Sequence, residues 1–279
     1  DGISEDLITE LSRFEGLLVI ARNSTFRFKG QAVDIGEVAA ELGVRYVLEG
    51  GVRRTGDRVR VTAQLIDAET GGHIWAERYD RQMTDIFAVQ DDVTGQIIAA
   101  LKSELGDAIT SRADRPLTSS QEAYDLYLRG RANINRRTGE ANALAQDLLE
   151  QAIGLDGTFA AAYAELSHAR FLAWYYGWAD APVALENAEK AARRAVSIDP
   201  SLPQGHAQLG WVLSFRGRLD EGIASARHAT VLDTNYATGY ANLSILLIFS
   251  GEGDEALAAG NVAVRLDPFS VLAQLGRGL

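Results

Sequence analysis

The sequence predicts an α+β domain, an antiparallel sheet with helices, followed by an all-α solenoid of stacked helical pairs. Two observations carry this. Val59, Val61, Ala63 and Leu65 alternate with Arg58, Arg60, Thr62 and Gln64, the period of a strand with one wet face. In the second half, Asp199, Asp233 and Asp267 recur every 34 residues, and Ala195, Ala229 and Ala263 do the same. His206 and Tyr240, Leu209 and Leu243, and Gly210 and Ser244 keep that spacing. A period held over several columns marks a helical array, and arrays bind partners far more often than they catalyse.

In the first domain, residues 1–110, Ser4 is a helix N-cap with Glu5 and Asp6 in the favourable first turn. Leu7, Ile8, Leu11 and Phe14 follow at helical spacing, and Gly16 stops that helix. Leu17–Ile20 reads as a short buried strand. Asp34 and Glu37 cap a second helix that ends at Gly43. Turns at Thr55–Asp57 and Thr70–Gly72 divide residues 44–79 into a three-strand meander. A third helix, about Asp85 to Leu105, places Ile86, Val89, Val93, Ile97 and Leu101 on the sheet.

Residues 111–119 are polar, aperiodic and contain Pro116, so they read as a linker. A capping box, Ser119 with Glu122, then opens the helical region, 120–279. Its units read Tyr163-x-x-Leu166-Ser167, His206-x-x-Leu209-Gly210 and Tyr240-x-x-Leu243-Ser244 in their first (A) helices. Their second (B) helices read Ala188-x-x-x-Ala192, Gly222-x-x-x-Ala226 and Ala256-x-x-x-Gly260. Small residues there let paired helices approach closely. Asp156 to Asp199 spans nine residues more than the period, around Trp174-Tyr175-Tyr176-Gly177-Trp178. An earlier, degenerate unit runs from Ala123 to Asp156, with Ala145, Leu149 and Ala152 in the B-helix columns.

The net charge of −11 is shared evenly, and neither half carries a basic face suited to nucleic acid. With no cysteine there is no disulfide framework, thiolate metal site or Cys nucleophile. That fits a cytoplasm and leaves a periplasm open. No apolar run reaches the length of a membrane span. The chain starts at Asp1 rather than Met and stops at Leu279 inside a further unit, so it reads as truncated at both ends.

The second half resembles the tetratricopeptide repeat (TPR) family over residues 120–279. The first half resembles the TolB-like amino-terminal domain on Asp1–Leu11, Val19–Arg22, Glu41–Gly50 and Ile74–Asp80. The two in this order are similar to the non-catalytic region of bacterial class III adenylate cyclases, and to the regulatory arm of some winged-helix transcription regulators. The resemblance implies a regulatory, non-enzymatic protein-interaction region without cofactor, whose output domain lies upstream, and it allows a homodimer of the parent.

No phosphate loop is present, and Gly50–Gly51 and Gly71–Gly72 sit at strand and turn positions. The cyclase metal motif Phe-x-Asp-Ile-x-Gly does not occur. Asp1, Glu5 and Asp6 are explained by a helix N-terminus more simply than by a metal. His73, His168, His206 and His228 show no paired ligand spacing, and His206 fills a packing column. No catalytic or metal-binding residue is therefore expected. The expected partner site is the concave face lined by A helices. Its columns are His168 and Phe171, then Gln208, Trp211 and Phe215, then Asn242, Ile245 and Phe249. These suit an apolar peptide held by a few side-chain hydrogen bonds. The alternative is that missing units or the first domain cover them. Trp174, Tyr175, Tyr176 and Trp178 form either a ligand platform or packing.

Overall fold

The computed structural model describes residues 4, 7–8, 11–12, 14–15, 17–31, 33–56, 58–82, 92, 95–96, 99–100, 103, 110–111, 117–179 and 181–278. The chain divides into two compact units, Asp1–Arg112 and Ala113–Leu279.

In the first unit, β2 (Tyr46–Thr55), β3 (Arg58–Asp67) and β4 (Gly72–Gln82) form an antiparallel sheet in that order. Val59, Val61, Ala63 and Leu65 of central β3 are buried, as alternation requires. They pack with Leu7, Leu11, Phe14 and Tyr79. On the wet face Arg60 forks onto Asp80 at 2.6 and 3.2 Å, and Gln64 donates to Glu49 at 2.8 Å. Gly50 is demanded by close approach: a Cβ there would lie 2.4 Å from the Thr62 carbonyl oxygen. Gly71, at φ 66°, closes the second hairpin by donating to Asp67 O (2.8 Å).

A short helix, α1 (Arg22–Thr25), precedes α2 (Ile35–Leu42). α2 starts with the Glu37 N–H donating to the Asp34 carboxylate (3.1 Å) and ends on left-handed Gly43. Three expectations change, the first being that Phe14, placed on the first helix by its spacing, lies in a strand. Leu17–Ile20 forms no strand; instead Phe14–Glu15 (β1) pairs antiparallel with Thr110–Ser111 (β5). Ser111 thus belongs to the first unit with Thr110, although its polarity reads as linker. Of the expected third helix, Asp92, Gly95, Gln96, Ala99, Ala100 and Ser103 are helical. Its apolar positions Ile86, Val89, Val93, Ile97 and Leu101 lie outside the described residues.

The second unit is a run of helical pairs. They are α3 (Gln121–Ile134) with α4 (Gly139–Leu155), α5 (Ala160–Tyr175) with α6 (Ala181–Ile198), α7 (Pro203–Phe215) with α8 (Leu219–Leu232), and α9 (Ala237–Ser250) with α10 (Gly253–Leu266). A further helix, α11 (Val271–Gly278), follows. The cap of α3 is Ser120, whose Oγ accepts from Ala123 N, so the Ser119–Glu122 box is not used. Ser120 takes the cap because Thr118 anchors the preceding turn, accepting from Ser120 N and donating to Asp156 (2.6 Å).

The recurring aspartates have a physical reason. Asp156, Asp199 and Asp233 each accept the backbone N–H two residues on, at 2.9, 2.9 and 2.8 Å. This Asx turn redirects the chain from a B helix into the next A helix. It works equally with Pro200 or Thr234 in the following position. The small-residue column is equally explicit. Ser167 Oγ donates to Ala188 O (2.8 Å) and Ser244 Oγ to Ala256 O (2.7 Å). The corresponding Gly210 meets Gly222 with no side chain on either. The nine extra residues are not an inserted loop. α5 has 16 residues and α6 has 18, against 13 in α7 and 14 in α8, and the connection takes the remainder.

Candidate functional site

The structure joins two groups of residues that the sequence presents separately. Phe171 on α5 lies 5.5 Å from Trp174, 6.0 Å from Tyr175, 6.0 Å from Trp211 and 5.1 Å from Phe215, between ring centroids. Trp174 meets Phe215 at 5.5 Å, and Trp211 meets Phe215 at 5.3 Å. One aromatic cluster therefore ties α5 to α7. It forms because Phe171, Trp174 and Tyr175 share a face of α5 at spacings of three and four, as do Trp211 and Phe215 on α7.

Burial sorts the cluster. Phe171 is only 3% exposed and offers almost no surface. Trp174, Trp211 and Phe215 are half-buried. Tyr175, Tyr176 and Trp178 stand at the surface, 57%, 42% and 36% exposed. Of the remaining residues singled out, Asn242 and Ile245 are buried, whereas Phe249 is 57% exposed. Gln208 is 9% exposed, and its Oε1 has no hydrogen-bond partner among the described residues. Gln204, one turn earlier, also leaves a buried Oε1 unpartnered.

Two polar residues escape the sequence reading. Glu165 is held by Arg131 (3.2 Å) and faces His168 Nδ1 (3.6 Å). Burial pushes its carboxyl up, but the His168 hydrogen bond and the Arg131 charge outweigh this and hold it below the ordinary value. Burial raises the Tyr236 hydroxyl, and the Glu165 charge adds to that effect. Glu165 lies in one column with Gln208 and Asn242, so the repeat could have found it. Arg131 requires the register of the degenerate first repeat, set by Gly130, where a Cβ would stand 2.8 Å from Leu149 Cγ.

Elsewhere, Glu189 on α6 gathers Arg193 (2.7 Å), Arg216 (2.8 Å) and Arg218 (3.0 Å), stapling α6 to the α7–α8 turn. The His206 and His228 rings meet at 4.5 Å, and His206 Nε2 is 2.8 Å from Pro200 O. Among the described residues, no three His, Cys, Asp or Glu side chains group to hold a metal. No helix among them is long and apolar enough to cross a membrane.

Comparison with known proteins gives three findings. Residues 1–95 match the family model "HilA/YgeH-like transcriptional regulator, second domain". This stretch carries the TolB-like resemblance, which the match does not confirm. The chain is 47% identical over 222 residues to a Rhizobium meliloti (strain 1021) protein named "Putative adenylate cyclase 3". The match takes in 79% of this chain and 38% of that protein. Among solved structures, a thermophilic TPR protein of Thermus thermophilus is 20% identical, with a TM-score of 0.49, covering 69% of this chain and 91% of its own. The Pseudomonas aeruginosa pilF protein is 18% identical, with a TM-score of 0.45, covering 56% and 66%. At these scores the likeness adds nothing to the fold already described.

Proposed function

We propose that this chain is a non-catalytic regulatory region of a bacterial signalling protein whose output domain is an adenylate cyclase. The observation that carries this reading is the 47% identity over 222 residues to a protein bearing that name. In this reading the helical array receives a peptide or a helix of a partner protein on its A-helix face. Trp211, Phe215, Phe249, His168 and the rim of Gln208 make contact, while Phe171, Asn242 and Ile245 support them from beneath. Half-buried aromatics supply rigid apolar area at low entropic cost, and amides fix the register.

A second reading has its own support. The match of residues 1–95 to the second domain of a transcriptional regulator favours a regulatory arm beside a DNA-binding output domain. The two readings part on the sequence that accompanies this chain in its parent. Phe-x-Asp-Ile-x-Gly selects the cyclase, and a basic recognition helix selects the regulator. The non-catalytic assignment is tested by incubating the chain with ATP and Mg²⁺ or Mn²⁺. No cyclic AMP is expected, and sustained formation by the purified chain overturns the assignment.

A further inference from the structure

The turns between A and B helices at the start of the array carry a second surface, which the A-helix reading leaves unused. α5 ends in a Schellman motif. Gly177, at φ 70°, donates to Trp174 O (3.1 Å), and the Trp178 N–H reaches Ala173 O (2.8 Å). This turn sets Tyr176 and Trp178 ring on ring, at 4.7 Å and 22°, with Tyr175 edge-on to Tyr176 at 5.1 Å. The indole lies against Gly139 at the start of α4, where a Cβ would stand 3.3 Å from Trp178 Cγ.

Just before Gly139, the α3–α4 turn presents Arg136 and Arg137, both exposed. Among the described residues neither guanidinium has a carboxylate partner. Arg131, Arg170, Arg193, Arg216, Arg218 and Arg227 of the same unit are paired, and Arg194 and Arg265, which also lack a carboxylate partner among the described residues, do not adjoin a second unpaired arginine. Arg137 also has a positive φ, 53°, at a turn where the later A helices α5, α7 and α9 are followed by Gly177, Gly217 and Gly251.

We propose that Tyr175, Tyr176, Trp178, Arg136 and Arg137 form a docking surface for an extended acidic peptide segment containing proline. Exposed flat rings take pyrrolidine rings of a polyproline-type segment, which loses little entropy on binding. Guanidinium groups without internal partners are free to take carboxylates in two-point contacts. Charge decides between occupants. In a chain of net charge −11, two adjacent unpaired cations mark a place where an acidic segment escapes the general repulsion. A basic segment meets repulsion at these two arginines.

The test is fluorescence anisotropy on the full chain with a labelled peptide of alternating glutamate and proline. A lysine–proline peptide serves as the control. Saturable binding of the acidic peptide is expected, weakening with added salt. It is expected to fall about tenfold or more in Arg136→Glu/Arg137→Glu and in Tyr176→Ala/Trp178→Ala. Circular dichroism confirms that each variant is folded. The milder Arg136→Gln/Arg137→Gly pair, which keeps the turn, is expected to weaken binding in the same direction. The proposal is overturned if the acidic peptide does not bind, if the lysine peptide binds equally well, or if folded variants bind like wild type. Capture by anionic phospholipid vesicles in place of the peptide also overturns it. So does a dimer in sedimentation that Tyr176→Ala/Trp178→Ala dissolves.

Discussion

Replacing Gly210 by alanine probes the close approach of α7 to α8. The added Cβ would stand 2.6 Å from Gly222 O, 2.9 Å from Ala226 N and 3.2 Å from Ala226 Cβ. Two of those atoms are backbone, so no rotamer change relieves the contact, and α8 must move. Overpacking of this kind costs about 1–3 kcal/mol. Alanine's better helix propensity returns about 0.5–1 kcal/mol. The net expectation is a loss of about 0–2.5 kcal/mol, centred near 1 kcal/mol, which for a unit of this size lowers the melting temperature by roughly 2–4 °C. Gly154→Ala in α4 is the control. A Cβ there meets nothing within 4 Å, so only the propensity gain remains and the melting temperature rises. Thermal melting followed by circular dichroism compares the two with wild type. If Gly210→Ala melts at or above wild type while Gly154→Ala behaves as expected, the close-approach argument is wrong.

Further expectations concern charge and backbone. Burial lowers the His206 imidazole, with His228 adding to the effect against the Pro200 hydrogen bond and Asp199. As pH falls below the ordinary value of 6.5, the unfolded chain takes that proton before the folded one, so stability drops. His206→Tyr, the residue of the Tyr163 and Tyr240 column, should flatten melting temperature against pH below about 6.5; an unchanged slope refutes the assignment. Asp156, held low by hydrogen bonds from Thr118 and Thr158, contributes a separate loss that begins only below about 3.8. Glu189→Gln leaves Arg193, Arg216 and Arg218 without their shared carboxylate and should cost about 1–3 kcal/mol in urea unfolding. A change under a few tenths would show the staple to be idle. Arg137→Gly relieves a left-handed arginine and should gain about 0.5–1 kcal/mol in the same assay, whereas a loss would contradict the strain.

The sequence made the periodic parts of the fold legible because they rest on local rules. The alternation at 58–65 gave β3, and Asp34 with Gly43 bounded α2 as capping chemistry dictates. The 34-residue spacing of Asp199, Asp233 and Asp267 set the helical pairs. Pairings made through space were not legible. Phe14–Glu15 finds Thr110–Ser111 across most of the first unit, and no local pattern announces such a partner. Ser120 displaces Ser119 as cap only because Thr118 is tied to Asp156. At the site, the A-helix columns named the aromatics of α5 and α7. Their spacing did not reveal that Phe171 is sealed beneath Trp174, Trp211 and Phe215. Nor did it show that the Trp174–Trp178 segment divides into a packed Trp174 and exposed Tyr175, Tyr176 and Trp178. Glu165 was visible as a column only once Gln208 and Asn242 were aligned with it.

The regulatory account turns on whether the A-helix face matters to output. The direct measurement is cyclic AMP formation by the proposed parent cyclase. Phe249→Ala is the variant of choice, since Phe249 is 57% exposed and its loss should leave the fold intact, as circular dichroism checks. Trp211→Phe accompanies it, keeping an aromatic ring in the cluster with Phe171 and Phe215. The pair is expected to shift output several-fold, with loss of roughly 2 kcal/mol of partner affinity. Unchanged cyclic AMP formation and unchanged partner binding in the folded variant would contradict it.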